Sequence, residues 1–227
     1  MAHQHQHAEI SSAIEDYAKA IYALQLRAGE AVSTNALAER LGVTAASASG
    51  MVKRLDELGL VEHQPYRGVS LTEDGRRVAL EVMRHHRLLE LYLVQSLGVP
   101  WDRVHQEAEV LEHVLSEELE ELIAAKLGDP TRDPHGDPIP TRELEIEEGP
   151  TQSLQSLEAG ASGTFTRISD SDSEMLRFLA ERGIAPGDEF EVIEKQPFEG
   201  PLFVRFADHV HVLGGTLAKA MRVEVRR

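Results

Sequence analysis

Residues His105, Glu109, Glu112 and His113 stand at i, i+4, i+7 and i+8. On a helix turning 100° per residue, this spacing gathers two imidazoles and two carboxylates within about a 100° arc. His86 and Glu90 make a similar i, i+4 pair earlier in the chain, and Asp16 sets a carboxylate near a mostly apolar stripe. Imidazole nitrogen with carboxylate oxygen and no sulfur suits Mn²⁺ or Fe²⁺ in an expanded coordination shell, while affinity order alone lets Zn²⁺, Co²⁺ or Ni²⁺ compete. The chain has no Cys, which excludes thiolate zinc sites, iron–sulfur clusters, disulfides and a Cys nucleophile. Neither His-Glu-x-x-His nor His-x-x-Glu-His occurs, and Glu109-x-x-Glu112-His113 occurs once, not as a ferritin-like pair. Catalysis is therefore not expected. From spacing alone, solvated pairs on a helix surface remain the alternative to a metal site.

A second group of residues has the chemistry to read DNA. Thr44 opens a short helical run with Ala48, Met51, Val52, Leu55 and Leu58 at helical spacing, preceded by a run through Leu37, Ala38 and Leu41 that stops at Gly42. Two short helices joined by a tight turn are then followed by Leu60–His63 and Val69–Thr72, flanking Gln64-Pro65-Tyr66-Arg67-Gly68, a hairpin with a basic, aromatic tip. An amphipathic helix from Ser11 to about Arg27 precedes them, with Ser12 and Glu15 as a capping box. The order is that of a winged helix-turn-helix. In such a unit Thr44, Ser47 and Ser49 face base edges and phosphates, Lys53 and Arg54 reach phosphates, and Arg67 lies over the flanking backbone.

The remaining elements must position the metal candidates. A helical pattern runs from Glu73 to about Leu97, breaks at Gly98-Val99-Pro100, restarts from Trp101 through Leu115, and resumes from Ser116 to Leu127. A Pro-rich, His-containing loop spans Asp129 to Thr141. After an acidic linker ending at Pro150, short strands are expected over Gly163–Ile168, Glu189–Glu194, Leu202–Phe206, Val210–Leu213 and Met221–Val225, with a helix near Glu174–Arg182. Gly183, Pro186-Gly187, Gly200-Pro201 and Gly214-Gly215 are read as its turns. The fold class is mainly α with small β, in three domains: 1–72, 73–146 and 150–227. His63 and His135 read as loop or strand surface, His209 and His211 alternate along a strand, and His3, His5 and His7 read as a tail or tag remnant.

The formal net charge of −16 excludes an indiscriminate nucleic-acid binder, but the acid is localised. Residues 78–150 hold seventeen acidic against six basic side chains, whereas 33–77, the DNA-reading candidate, holds six of each. No apolar run approaches the ~20 residues that span a bilayer. With no signal-peptide pattern in Met1–His7, a cytoplasmic protein without a membrane partner is expected.

The winged helix-turn-helix, then Met83-Arg84-His85-His86-Arg87-Leu88-Leu89-Glu90, then Val104 to Val114 and the Gly136-Asp137-Pro138-Ile139-Pro140 loop, together closely resemble the DtxR family of metal-dependent bacterial repressors. The resemblance covers nearly the whole chain and implies a helical metal-binding and dimerisation domain followed by an SH3-like (FeoA-like) β-barrel. It implies one metal on Asp16, Glu109, Glu112 and His113. A second, ancillary metal falls on His86, Glu90 and His105, completed from the SH3-like domain, for which Asp170 and Asp172 are the candidates. Iron-sensing members carry Met and Cys where this chain has Asp16 and Glu109, so it looks like the manganese-sensing branch. Some of those members place a second acid one turn after the aspartate; here Lys19 stands there, and two separate sites are expected in place of a shared cluster.

The expected function is a manganese-dependent repressor of manganese-uptake genes, acting as a homodimer on a palindromic operator. Metal would hold the DNA-binding unit in a pose that sets two recognition helices about 34 Å apart. Converting a mostly inactive population to a mostly active one needs about 5.5 kcal/mol of differential metal affinity. Leu88, Leu91 and Leu93 are candidates for the dimer interface, and equally for intrachain core. The rivals are an iron-dependent repressor of the same fold, a metal-binding enzyme or storage protein, and a regulator that answers an organic effector.

Overall fold

The structure is a computed structural model that describes residues 11–28, 31–64, 67–147, 149–170 and 172–226. The His-rich start and Tyr66 of the hairpin tip lie outside the described residues. Two compact units are present, one of Met1–His85 with Pro140–Glu145 and one of His86–Ile139 with Ile146–Arg227.

The first unit begins with α1 (Ser12–Ala28), α2 (Thr34–Leu41) and α3 (Ala45–Glu57). Its helix ends are fixed by local chemistry. Ser33 caps α2 by accepting from the Ala36 N–H at 3.1 Å, and Thr44 caps α3 by accepting from Ser47 N–H at 3.1 Å. Between them Gly42, at φ 64°, supplies the left-handed residue that turns the chain out of α2. The apolar faces meet in one core, with Ile14, Tyr17 and Ile21 of α1 against Leu37 of α2 and Ala48, Val52 and Leu55 of α3. The wing is an antiparallel hairpin of β1 (Val61–Gln64) and β2 (Gly68–Leu71), and Val69 also bridges to Val32. That approach requires Gly68: a Cβ there would sit 2.6 Å from the Val32 carbonyl oxygen.

The long helix α4 (Glu73–Leu97) follows, its span agreeing with the sequence pattern. In the second unit, α5 (Val104–Leu111) and α6 (Glu117–Lys126) pack with the second half of α4 through Leu88, Leu89, Leu91, Ala108, Ile123 and Ala124. Leu88, Leu91 and Leu93 are thus buried within the chain, so the interface role considered for them is corrected to core. The helix expected from Trp101 to Leu115 is also shorter than its pattern. Trp101–Arg103 form turns behind Pro100, and residues 112–114 turn away before Ser116 caps α6 at Leu119 N–H. A Ser committed as the next N-cap cannot continue the preceding helix.

The C-terminal portion is a six-stranded antiparallel sheet in the order β3-β8-β4-β5-β6-β7. Its strands are β3 (Gln152–Ser153), β4 (Ser162–Arg167), β5 (Glu189–Lys195), β6 (Leu202–Phe206), β7 (His209–Leu213) and β8 (Arg222–Val225). Phe165, Val192, Leu202, Val204 and Val223 fill its inner face, with Leu176 and Leu179 of α7 (Ser173–Ala180) added. Three elements are not legible in the sequence: β3, a 3₁₀ turn at Leu154–Ser156, and α8 (Gly215–Ala220), where the pattern Gly214-Gly215 reads as a turn. Gly214 is instead the N-cap of α8, and Gly215 lies where a Cβ would meet the Glu199 carbonyl oxygen at 2.6 Å. No helix among the described residues is long and apolar enough to cross a membrane.

Candidate metal centre and nucleic-acid face

Within the second unit, α4 delivers His86 and Glu90 to one point, because residues four apart share a helix face. α5 delivers His105 and Glu109, its C-cap Glu112 follows, and the segment after β4 delivers Asp170. His86 Nε2 lies 3.0 Å from Glu90 Oε1 and 3.0 Å from His105 Nδ1. His105 Nδ1 in turn lies 3.4 Å from Glu90 Oε1 and 2.9 Å from Asp170 Oδ2. One donor atom from each of these four residues falls within 4.8 Å of the others. Two imidazole nitrogens and two carboxylate oxygens from three separate chain segments converge, a nitrogen and oxygen set that fits a divalent first-row cation.

His86 also faces the other way. Its Nδ1 lies 2.5 Å from Glu112 Oε2 and 3.9 Å from Glu109 Oε1, and these three residues form a second converging group. His113 Nε2 lies 3.5 Å from Glu112 Oε1. Because α5 ends at Leu111, Glu112 and His113 reach their places from the turn beyond it, not from the single helical arc that the spacing suggested. Asp16 is half-buried on α1 in the first unit, as is Lys19 one turn on.

The electrostatics of the group describe a site prepared for positive charge. Burial alone would raise the Glu90 carboxyl, yet the imidazoles of His105, His135 and His86 around it hold it well below the usual range. Asp170, hydrogen-bonded to Glu90's neighbour His105, raises that imidazole to about 10, with Glu90 adding to the effect. Burial would likewise raise Asp170, and the His105 contact overrides it, holding it low. Of the two acids considered from the β domain, Asp170 is the one at His105. Asp172 is committed elsewhere, its Oδ1 accepting from Glu174 N–H at 3.0 Å and Met175 N–H at 3.2 Å as the N-cap of α7.

His135 is the residue that pattern reading misplaced. Read as surface, it is fully buried, its Nε2 2.8 Å from the Trp101 carbonyl oxygen and its Nδ1 3.6 Å from Glu90 Oε2. The reason is a tight turn closed by Asp133, whose Oδ1 accepts from His135 N–H at 2.8 Å and Asp137 N–H at 2.9 Å. The Asp-Pro-His-Gly spelling of that turn was the available signal. Burial, then the neighbouring Asp137 and Glu90 charges, raise Asp133 to about 8. By contrast His63 is exposed on β1, as expected.

On the first unit, Ser47, Ser49, Lys53, Arg54 and Arg67 are all exposed. Two of the expected DNA-facing hydroxyls also serve the backbone. Thr44 Oγ1 accepts from Ser47 N–H, leaving its own O–H as a donor, while Ser49 Oγ donates to the Ala45 carbonyl oxygen at 2.8 Å. Lys53 and Arg54 lie 4.0 and 3.7 Å from Glu57, exposed pairs that hold little energy and can release both cations to phosphate.

Comparison with known proteins covers most of the chain. Residues 9–69 match the family described as the iron-dependent repressor N-terminal DNA-binding domain. Residues 72–141 match the iron-dependent repressor metal-binding and dimerisation domain, and 152–225 match the FeoA domain. The iron-dependent repressor IdeR of Mycobacterium tuberculosis is 33% identical over 229 residues, covering 95% of this chain and 98% of that protein. A solved manganese-dependent transcriptional repressor in complex with manganese is 44% identical, with a TM-score of 0.86, over 94% of this chain and all of the other. A second solved manganese-dependent transcriptional repressor is 39% identical, with a TM-score of 0.77, over 93% and 100% of the two chains.

Proposed function

The chain belongs to the DtxR family of metal-dependent, DNA-binding transcriptional repressors, and from that premise we propose that Mn²⁺ is the ion it answers. The observation that carries this reading is the convergence of His86, Glu90, His105 and Asp170, nitrogen and oxygen donors only, in a chain without Cys. Hard oxygen ligands in an expanded shell favour Mn²⁺ over softer competitors that prefer sulfur. The likeness to manganese-dependent repressors at 44% and 39% identity supports it against the iron-dependent alternative, represented by a relative at 33%.

Two ions are proposed. One is held by His86, Glu90, His105 and Asp170; the other by Glu109, Glu112 and His113, with Asp16 added on the strength of the resemblance alone. When bound, a divalent ion supplies positive charge and a cross-link between side chains that otherwise repel one another. The chain's part is to keep the carboxylates converging, and in the first set Glu90 and Asp170 are held low and so ionised before metal arrives. By its differential affinity for the DNA-competent pose, metal raises the population of that pose. Thr44, Ser47, Ser49, Lys53, Arg54 and Arg67 are the proposed DNA contacts, and a palindromic operator at manganese-uptake genes is the proposed target.

The homodimer reading is supported by apolar residues on and between α5 and α6. Val110, Val114, Leu119 and Leu122 are exposed, Val114 at 77% and Leu122 at 62%, in the region matching the dimerisation domain. Exposed large apolar side chains in that region are the proposed contact with a second copy. The test of the metal assignment is calorimetric titration of full-length protein with Mn²⁺. His105→Ala and Glu112→Ala should each remove one of two binding steps; unchanged binding in both would refute it.

A further inference from the structure

The wing has an outer edge that β1 does not cover, because an antiparallel strand turns alternate backbone groups away from its partner. In β2 those residues are Val69 and Leu71. Val69 exchanges two hydrogen bonds with Val32, its N–H donating at 2.9 Å and its carbonyl accepting at 2.8 Å. Leu71 lies beyond that bridge, and its N–H donates to a side chain, the Oε1 of Gln25 on α1, at 3.2 Å. One side-chain amide thus takes the place of a further strand residue.

Packing closes the same junction. Leu71 and Leu24, the chain neighbour of Gln25, both pack against the core of the first unit. Gln25 and Leu71 are each half-buried, so a Leu71 N–H without an acceptor would carry a desolvation cost. At the other end of β2, Gly68 is pressed against the Val32 carbonyl oxygen, where a Cβ would fall at 2.6 Å. β2 is therefore held at both ends by α1 and the segment after it.

The residue before that strand is Arg67. Its N–H donates to the Gln64 carbonyl oxygen at 3.0 Å, closing the tip, and its side chain is exposed. The backbone of β2 sets where that side chain starts, since one residue, Gly68, separates Arg67 from Val69. A two-stranded hairpin is marginal by itself, so the pose of the wing has to be fixed from outside it. Asp56 of α3 supplies one hold on the β1 side, its Oδ1 accepting from His63 N–H at 3.2 Å, and Gln25 supplies the one on the β2 side.

We propose that Gln25 is a positioning residue for DNA binding: by holding the outer edge of β2 through the Leu71 N–H, it fixes the wing so that Arg67 meets a phosphate. A phosphate contact releases counterions, so its loss is read in the salt dependence of binding and not in the fold. The inference rests on the DNA-contact reading of Arg67 above.

The experiment joins hydrogen exchange of the DNA-free protein to fluorescence anisotropy of full-length, Mn²⁺-loaded protein on promoter DNA of manganese-uptake genes across a salt series. Gln25→Met keeps side-chain length and helix propensity but removes the strong acceptor, whereas Gln25→Glu keeps an acceptor oxygen. In Gln25→Met the Leu71 amide should exchange about fivefold faster. The slope of log K against log salt should fall by about 0.9 for each protomer, as in Arg67→Ala, and the double variant should fall no further than Arg67→Ala. Gln25→Glu should keep the Leu71 amide as protected as in wild type, and both Mn²⁺ steps should survive in every variant. A wild-type slope in Gln25→Met overturns the inference. So does a double variant whose slope falls below that of Arg67→Ala, which would place the effect at another phosphate, or loss of the metal-free fold in both Gln25 variants, which would make the side chain serve the fold. If Arg67→Ala leaves the slope unchanged while the Leu71 amide still responds to Gln25→Met, the DNA-contact reading fails first, and this inference with it.

Discussion

At the scale of single residues, the centre is held together without metal by His105, whose proton is stabilised first by Asp170 and then by Glu90, raising it to about 10. An imidazole raised above its unfolded value of about 6.5 stabilises the fold fully below that value, and the contribution is lost as pH rises through about 10. A metal ion needs the same nitrogen unprotonated, so binding must expel that proton. Mn²⁺ affinity is therefore expected to rise with pH between 6.5 and 8.5, at about tenfold per unit for one proton displaced. Titrations in buffers of different ionisation enthalpy check this; a flat profile would mean that His105 does not ligate. The ligand types were legible because imidazole and carboxylate at i, i+4 on a helix are a local pattern. His135 was not, since its burial depends on Asp133 closing a turn and on a strand that is distant in sequence.

At the scale of elements, each recognition segment is set by its caps. Thr44 is the N-cap of α3, and its replacement by Ala should lower stability by about 1 kcal/mol through the unmet Ser47 N–H. Chemical denaturation reads that loss, and an unchanged midpoint would show that the cap is dispensable. Strong periodicity made α4 and the hairpin readable from sequence, and Ser33, Gly42 and Thr44 are explicit start and stop signals. The end of α5 was less so: Glu112 and His113 continue the helical spacing of α5, but the chain turns there to let Ser116 cap α6. β3 and α8 were missed because a two-residue strand and a six-residue helix opened by glycine carry almost no periodic signal.

At the scale of the whole molecule, function depends on a second copy and on DNA. The exposed apolar face of α5 and α6 should be the dimer contact, so Leu122→Glu is expected to give a monomer in sedimentation analysis while both Mn²⁺ steps survive. A variant that remains dimeric would place the contact elsewhere. The localised acid, neutral DNA-reading segment and sulfur-free donor set were visible in sequence and point to one switch. The direct test is fluorescence anisotropy of full-length protein on promoter DNA of manganese-uptake genes at fixed salt, with Mn²⁺ or Fe²⁺ at matched free concentration, or with chelator. Binding that requires metal and is strongest with Mn²⁺ is the predicted result; equal binding in chelator, or a preference for Fe²⁺, would contradict it.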